Sequence, residues 1–570
     1  MSQIPPAGQG RPRMGPVFTT TPRDTPVEAY AGDEPPPPRM SRTIWVWLVL
    51  ALVLAAGLRA GFFMSGPAED PQRAFGPDSP RYVELAENLR EHRSFGRTME
   101  STGVVHVPLE RFRSSRDELE PADKVGLRPE ILRTPGYPAF ISAWLGSEKP
   151  LVNVLITQQV LSVVGVLLVF LIGRHLLRSN VAAMIAALIV AVHPADILAA
   201  NSVLAETLFT TVMLLGFYLV VRNQRFGWIL PSTGALAIGL SVLIRPISIL
   251  LGPAAAIWFL CTQRSRRGVV LAAIMCVLSL TPTAAWMMRN EKAGFGYRIS
   301  SVPFINAYFY TVAYMDIQKR DLDHEQDWPM TVERLFGQLH TQIEPGEDTF
   351  SAMRRLSIDW IKDDPLLYAS VLGRSAVKFM TDHSLPSFPS RLDLEYEPKN
   401  LRERVFQQGL AALWTAQHPE SSTTAPLVWI TWNATVVVLT IVGAWFLIIR
   451  RQWAALLLLV GTLAYFILAT QANGLERFRV PVLGIQALLA GAVLARTRRD
   501  VDEHAGSNSD AARAALNLPI PQPAPPQAAT APQSTTNTTH PALVGAPVGK
   551  AAESQATGTP DRPPFVRRFV

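Results

Sequence analysis

The chain has 570 residues, 48% of them hydrophobic and 17% charged, with a mean hydropathy of +0.17. Soluble domains carry about 25% charge. Here the deficit lies in long uncharged runs, which excludes an ordinary soluble enzyme and marks a membrane protein. The net charge of +7 does not point to nucleic acid, because the arginines sit in pairs at the ends of apolar runs rather than along one soluble face.

In chain order, residues 1–42 are rich in Pro, Gly and Arg and read as a disordered tail. No signal peptide is expected, since the first apolar run starts only near Ile44. Candidate spans follow at 44–64, 151–171, 181–199, 204–221, 226–244, 247–260, 269–288, 426–449, 453–470 and 480–495. Most approach the roughly 20 residues a bilayer requires. Arg245-Pro246 divides 226–260, which as one helix would far exceed a ~30 Å hydrocarbon core. Residues 501–570, rich in Ala, Pro, Gln and Thr, read as a second disordered tail. The expected fold is mainly α, a polytopic membrane domain at 43–500 with about ten spans. Two larger segments, 65–150 and 289–425, fall outside. The two cysteines, Cys261 and Cys276, lie in apolar runs, so the outer segments have no disulfide.

Orientation follows from the positive-inside rule. Arg174/Arg178, Arg222/Arg225, Arg264/Arg266/Arg267, Arg450/Arg451 and Arg496/Arg498/Arg499 fall on one side of such a bundle. Both tails are then cytoplasmic and the large segments external. Within the latter, an amphipathic helix is expected around 82–89. A second carries Met353, Leu356, Trp360 and Ile361, and either lies in the membrane interface or packs on external protein. No internal repeat is visible, against the transporter folds built on repeats.

Several residues at the outer ends of the spans carry chemistry. Asp78 opens the first external segment in Phe75-Gly76-Pro77-Asp78-Ser79-Pro80-Arg81-Tyr82. A carboxylate there can act as a general base on an acceptor hydroxyl or bind a metal, but Asp-Ser-Pro is also a helix N-cap. Arg59 and Arg245 lie at outer span ends, where a membrane arginine holds a lipid phosphate or snorkels as an anchor. Arg133 and Tyr137 belong to a rigid Arg-Thr-Pro-Gly-Tyr-Pro turn and are further substrate-binding candidates. Arg477, in Glu476-Arg477-Phe478-Arg479, breaks the charge rule and needs a phosphate or an ion pair. His193 and Glu206 flank the next external loop and offer a divalent-metal site, with a helix-start carboxylate as the plainer reading of Glu206. No HExxH, CxxC or DxD run lies in the loop they flank.

Taken in order, these pieces resemble the GT-C glycosyltransferases, in the group of protein O-mannosyltransferases and lipid A aminoarabinose transferases. The matching residues are Arg59, Asp78-Ser79-x-x-Tyr82-x-x-Leu85-Ala86, Arg133-x-Pro135-Gly136-Tyr137-Pro138, His193-Pro194 with Glu206, Arg245-Pro246, Trp286-x-x-Arg289-Asn290 and Glu476-Arg477-Phe478-Arg479. The resemblance covers roughly 44–496. It implies an enzyme that moves a hexose or pentose from a polyprenyl-phosphate donor to a hydroxyl or phosphate of an envelope glycan, lipid or protein. It also implies inversion at the anomeric carbon, Asp78 as the base, and a site on the external face of the inner (plasma) membrane. Membrane lipids are partners and nucleic acid is not. Members of the family often carry a second acidic residue where Glu206 stands, but this chain lacks their adjacent acidic pair, so a divalent metal stays open. Residues 97–129 have no assignment. The alternatives are a lipid-linked glycan ligase or polymerase, which tends to rely on external Arg and His, and a transporter or flippase, which would need ionisable groups near mid-membrane.

Overall fold

The computed structural model describes residues 37–97, 127–222, 227–323, 326–381, 424–472 and 476–495. Nearly all of both tails, and all but the ends of 97–129, lie outside the described residues.

Helix α1 (Arg42–Met64) starts at Ser41, whose Oγ accepts the Ile44 N–H at 3.3 Å. Trp45, Trp47 and Val53 on this helix are more than half exposed. In water such a face would be an association surface; on a bilayer-length apolar helix it is the lipid-facing side. Then come α2 (Ser79–Glu91), α3 (Gly136–Ser142), α4 (Pro150–Leu176), α5 (Asn180–Ala191), α6 (Pro194–Ala200), α7 (Glu206–Arg222), α8 (Ile229–Val242), α9 (Leu251–Thr262) and α10 (Arg266–Lys292). After these, α11 (Val302–Ile305), α12 (Ala313–Lys319), α13 (Trp328–Gln342), α14 (Thr349–Asp363) and α15 (Pro365–Thr381) form an accessory layer. The chain returns to the bundle as α16 (Thr424–Ile449), α17 (Trp453–Ala469), α18 (Glu476–Arg479) and α19 (Leu483–Gly491).

Among the described residues, five helices are long and apolar enough to cross a membrane: Arg42–Met64, Pro150–Leu176, Arg266–Lys292, Thr431–Ile449 and Arg477–Leu494. The protein is a mainly helical integral membrane protein. Other expected spans take the form of shorter apolar helices, among them Ile229–Val242 and Trp453–Ala469. The stretch expected as one span at 181–199 bends by 58° between α5 and α6. Pro194 has no N–H and would clash with the preceding turn, so it starts a new helix instead. His193 caps that start through its Nδ1, which accepts the Ala195 N–H at 3.2 Å. Counting the bent pair as one span gives six.

The last span is the hub: α19 is buried along its whole length. Neighbouring backbones pack against it without intervening side chains. A Cβ on Gly443 would fall 1.7 Å from the Leu489 carbonyl oxygen, and one on Gly491 would fall 2.4 Å from that of Ala182. Such approach through small residues is how apolar helices gain contact in lipid.

The accessory layer has a core of its own around Phe309, Leu335, Phe336 and Met353. The helix expected around Met353 is α14, and its apolar face packs on this core, with Trp360 partly buried against it. Of the two readings open from sequence, packing on protein is the one found. Asp348 caps α14 and is gripped by Arg298 through two hydrogen bonds of 2.7 Å. A two-stranded antiparallel clasp pairs β1 (Gly96–Arg97) with β2 (Arg128–Pro129).

Candidate functional site

The site forms where two loops and a short helix meet at the ends of the bundle helices. The first is the turn before α2. Ser79 Oγ accepts the Gly76 N–H at 2.8 Å and donates to the Val203 carbonyl at 2.7 Å, while the Val203 N–H returns to Ala74 at 2.9 Å. This turn is therefore stapled to the loop that leads into Glu206. Asp78 occupies the N-cap position of α2, but its side chain makes no cap hydrogen bond. Both oxygens go elsewhere: Arg133 Nη2 donates to Oδ1, and Arg477 Nη1 donates to Oδ2 at 2.9 Å.

The second loop is the Arg-Thr-Pro-Gly-Tyr-Pro turn. Gly136 N donates to the Leu243 carbonyl at 2.7 Å and Thr134 Oγ1 to that of Ile244 at 3.2 Å, so the turn lies flat on the end of α8 beside Arg245. A Cβ on Gly136 would meet Leu243 O and Ile244 Cγ1 at 2.8 Å. Gly136→Ala is expected to lower stability by about 1–3 kcal/mol through overpacking. A thermal melt of the purified variant checks this, and an unchanged melting point would show that α8 yields.

Arg133 is aimed by Glu130, a fully buried carboxylate. Glu130 Oε1 accepts the backbone N–H groups of Leu132 and Arg133 at 2.5 and 2.9 Å, and Oε2 pairs with Arg81 at 2.6 Å. Burial alone would raise the Glu130 pKa; the charges of Arg81 and Arg97 outweigh it and hold the group ionised. Arg289 of the Trp286-x-x-Arg289-Asn290 motif braces the same segment, donating to Glu130 O at 3.0 Å and Phe95 O at 2.7 Å. The Arg133 guanidinium lies over the Tyr82 ring at 5.5 Å, and Tyr82 meets Tyr137 edge-on at 4.8 Å. Tyr137 is itself fully buried, donating from its hydroxyl to Gln158 at 2.6 Å. Its ring contact with the site is made through Tyr82.

The third piece is the short helix α18, which carries Arg477. Phe478 beside it takes two guanidinium groups, Arg477 at 5.0 Å and Arg245 at 5.3 Å from its ring centroid. Arg245 Nη1 lies 2.6 Å from Glu206 Oε1, an ion pair without hydrogen-bond alignment. Burial on its own would raise the Asp78 carboxyl, but Arg133, Arg477 and the more distant Arg245 overcome this and pull its pKa down to about 2. Among the described residues, the Nε–H groups of Arg133 and Arg477 are buried without hydrogen-bond partners.

Asp78, Arg133, Arg245, Arg477 and Glu206 thus come together as the sequence motifs implied. Arg59 and His193 belong to another cluster. Arg59 is fully buried and donates to Ser162 Oγ, to the carbonyls of Ala55, Ala191 and Val190, and to Asp196 Oδ2 at 2.5 Å. Five acceptors match the five N–H bonds of a guanidinium, which leaves none for the lipid phosphate expected from sequence. The metal site expected at His193 and Glu206 does not fit either. Glu206 is paired with Arg245, His193 feels the positive charges of Arg479 and Arg59, and no group of three His, Cys, Asp or Glu occurs together among the described residues. A dication is held by converging anions, not by a site already balanced by guanidinium groups. Sequence reasoning missed Asp196 and Glu130. Asp196, an acid inside an apolar stretch, was visible as an anomaly; Glu130 was hidden at the end of a charged segment.

Residues 134–287 match the family model of dolichyl-phosphate-mannose-protein mannosyltransferases. That stretch holds Tyr137, His193, Glu206 and Arg245, while Asp78, Arg133 and Arg477 lie outside it. No curated protein matches the chain by sequence. Among solved structures, the oligosaccharyltransferase AglB of Archaeoglobus fulgidus, in complex with an inhibitory peptide and a dolichol-phosphate, aligns at 15% identity and a TM-score of 0.42, over 84% of this chain and 52% of that one. ArnT of Cupriavidus metallidurans, bound to undecaprenyl phosphate, aligns at 14% identity and a TM-score of 0.31, over 85% and 82%. The chain spans about half the length of the archaeal enzyme. The resemblance to glycosyltransferases of the GT-C superfamily, read above from ordered motifs, is borne out by the family match.

Proposed function

We propose that the protein transfers a sugar from a polyprenyl-phosphate donor to an acceptor hydroxyl or phosphate on the external face of the membrane. The observation that carries this reading is the pairing of one carboxylate, Asp78, with two arginines that each keep a spare buried N–H. Arg133, Arg245 and Arg477 face Asp78 and Glu206, so the cluster holds one surplus positive charge. A polyprenyl-phosphate sugar is a phosphodiester with one negative charge, which matches that surplus. The forked guanidinium donors suit its oxygens, and the apolar bundle suits its tail.

In the step itself the acceptor oxygen attacks the anomeric carbon while Asp78 takes the acceptor proton. The bond from the anomeric carbon to the phosphate oxygen breaks, and its electron pair leaves with the lipid phosphate. Charge builds on that phosphate as the bond breaks, so contacts from Arg133 and Arg477 strengthen in the transition state. A carboxyl with a pKa near 2 is a weak base. It becomes a useful one only as the arginines turn from Asp78 to the phosphate, which ties base strength to donor occupancy. Attack opposite the leaving phosphate gives inversion. Glu206 holds Arg245 in place.

The test is transfer from a panel of radiolabelled polyprenyl-phosphate sugars by the purified protein in lipid nanodiscs. Label is expected to reach an acceptor from at least one donor, with the opposite anomeric configuration in the product. Folded protein that moves no label across a broad panel would overturn the reading.

A further inference from the structure

The residues 304–314 hold five aromatics, namely Phe304, Tyr308, Phe309, Tyr310 and Tyr314, none of which the catalytic proposal uses. Part of this stretch, Asn306–Val312, is a π-helix. Wide turns of this kind are rare, unfavourable, and frequent at functional sites. The turn divides the aromatics into two sets. Tyr308 and Phe309 are fully buried in the accessory core. Tyr310 and Tyr314 are half-buried and flank Trp328, with ring centroids 5.6 and 5.4 Å from it.

Two contacts tie this part of the accessory layer to Gln471 and Ala472. Thr311 Oγ1 donates to Gln471 Oε1 at 3.0 Å, which ties the π-turn to the segment leading to Arg477. Ala472, next in that segment, is buried in one apolar cluster with Met315 and Val371, against which Tyr314 packs. The Tyr310 hydroxyl is close enough to feel Arg477, Asp78 and Arg133, although burial has the largest effect on it and raises its pKa.

We propose that Tyr310, Tyr314 and Trp328 form a stacking site for a pyranose ring next to Asp78. The inference rests on the glycosyl-transfer reading and adds where a sugar is held. Aromatic faces carry negative charge and attract the polarised C–H groups on the flat side of a sugar, and such contacts add to simple area burial. Tyrosine hydroxyls at the rim can meet the sugar hydroxyls. A lipid tail would use the faces but strand those hydroxyls, and it would lie in the bundle rather than against the accessory layer. The ring belongs either to the donor sugar or to a glycan acceptor.

The experiment compares wild type with Trp328→Leu, Tyr310→Leu and the conservative Tyr310→Phe in nanodiscs. The binding probes are polyprenyl phosphate and the polyprenyl-phosphate sugar that wild type uses. If the donor sugar stacks, the leucine variants bind the sugar-bearing lipid about three- to tenfold more weakly, bind bare polyprenyl phosphate as wild type does, and Tyr310→Phe keeps most of the affinity. If the acceptor stacks, both lipids bind normally and the acceptor KM rises by a similar factor. Equal binding of both lipids together with an unchanged acceptor KM would overturn the site, as would equal loss of both lipids. Absence of transfer in wild type would instead overturn the reading beneath it. If the leucine variants fail to fold, Trp328→Phe with Tyr310→Phe carries the same comparison, with the same pattern at smaller size supporting the site and no change overturning it.

Discussion

Replacing Asp78 with asparagine is expected to cut sugar transfer by roughly 10²–10⁴-fold and, in the same protein, to tighten binding of polyprenyl phosphate. The two effects go in opposite directions because the carboxylate has two roles. It is the base of the proposed step, and in the resting site it occupies Arg133 and Arg477. Asparagine can do neither as well. Freed arginines should hold an added phosphate on the order of tenfold more tightly, the scale of a pKa displacement of one unit or more. Binding of bare lipid phosphate to nanodisc-embedded protein measures this, and weaker binding by Asp78→Asn would sink the competition between the anions. Full transfer by the same variant would sink the base assignment. The pH dependence follows from the sign of the shift. Asp78 titrates near 2, below its ordinary 3.8, so its ion pairs stabilise the fold above about pH 4 and are lost as pH falls towards 2. By linkage, donor that draws the arginines away must raise the Asp78 pKa. The acid limb of kcat, measured with donor saturating, should therefore lie at higher pH than the acid limb of kcat/KM.

Arg59→Leu is expected to destabilise the protein by about 3–5 kcal/mol, since it leaves Asp196 charged and buried with its cation gone. Asp196 accepts from both Arg59 and Ser162 at 2.5 Å, and its side chain is 7% exposed. The pair locks α1 to α4 and to the break between α5 and α6. Adding Asp196→Asn removes the stranded charge and should restore much of the thermal stability. The double variant should then show a donor KM close to wild type, because no N–H of Arg59 is free for lipid phosphate. A single variant that melts normally but shows a raised donor KM would return Arg59 to the binding site.

Much of this site was legible because its parts are polar residues in places where an apolar helix end does not need them. Asp78, Arg133, Arg245 and Arg477 each stood out against the lipid-facing pattern, and the folded chain gathers all four. What distance along the chain could not reveal was pairing. Arg59 and Arg245 look alike in sequence, each an arginine at an outer span end. One is consumed by five acceptors and the other faces Glu206 and Asp78. The difference depends on Asp196, which reaches Arg59 across 137 positions. Likewise, nothing local marks Asp78 as uncapping: an Asp-Ser-Pro start predicts a side-chain cap, and two arginines from distant segments outcompete the helix for its oxygens. The break at His193-Pro194 was written in the proline, yet the apolar run on both sides masked it. The π-turn was hidden for another reason, since aromatic density reads as core and only its half-buried members depart from that.

The small clasp between β1 and β2 has an evolutionary consequence. It joins Gly96 to Pro129 and Arg97 to Arg128, so the two chain ends that bound residues 98–126 are held side by side. Closing a longer loop costs little more than closing a short one, about 0.6 kcal/mol for each doubling. Glu130 and Arg133 follow directly after the clasp, with the Glu130 carboxylate paired to Arg81 and its carbonyl bound by Arg289. The clasp thus makes a change of chain length between its two ends cheap in closure entropy.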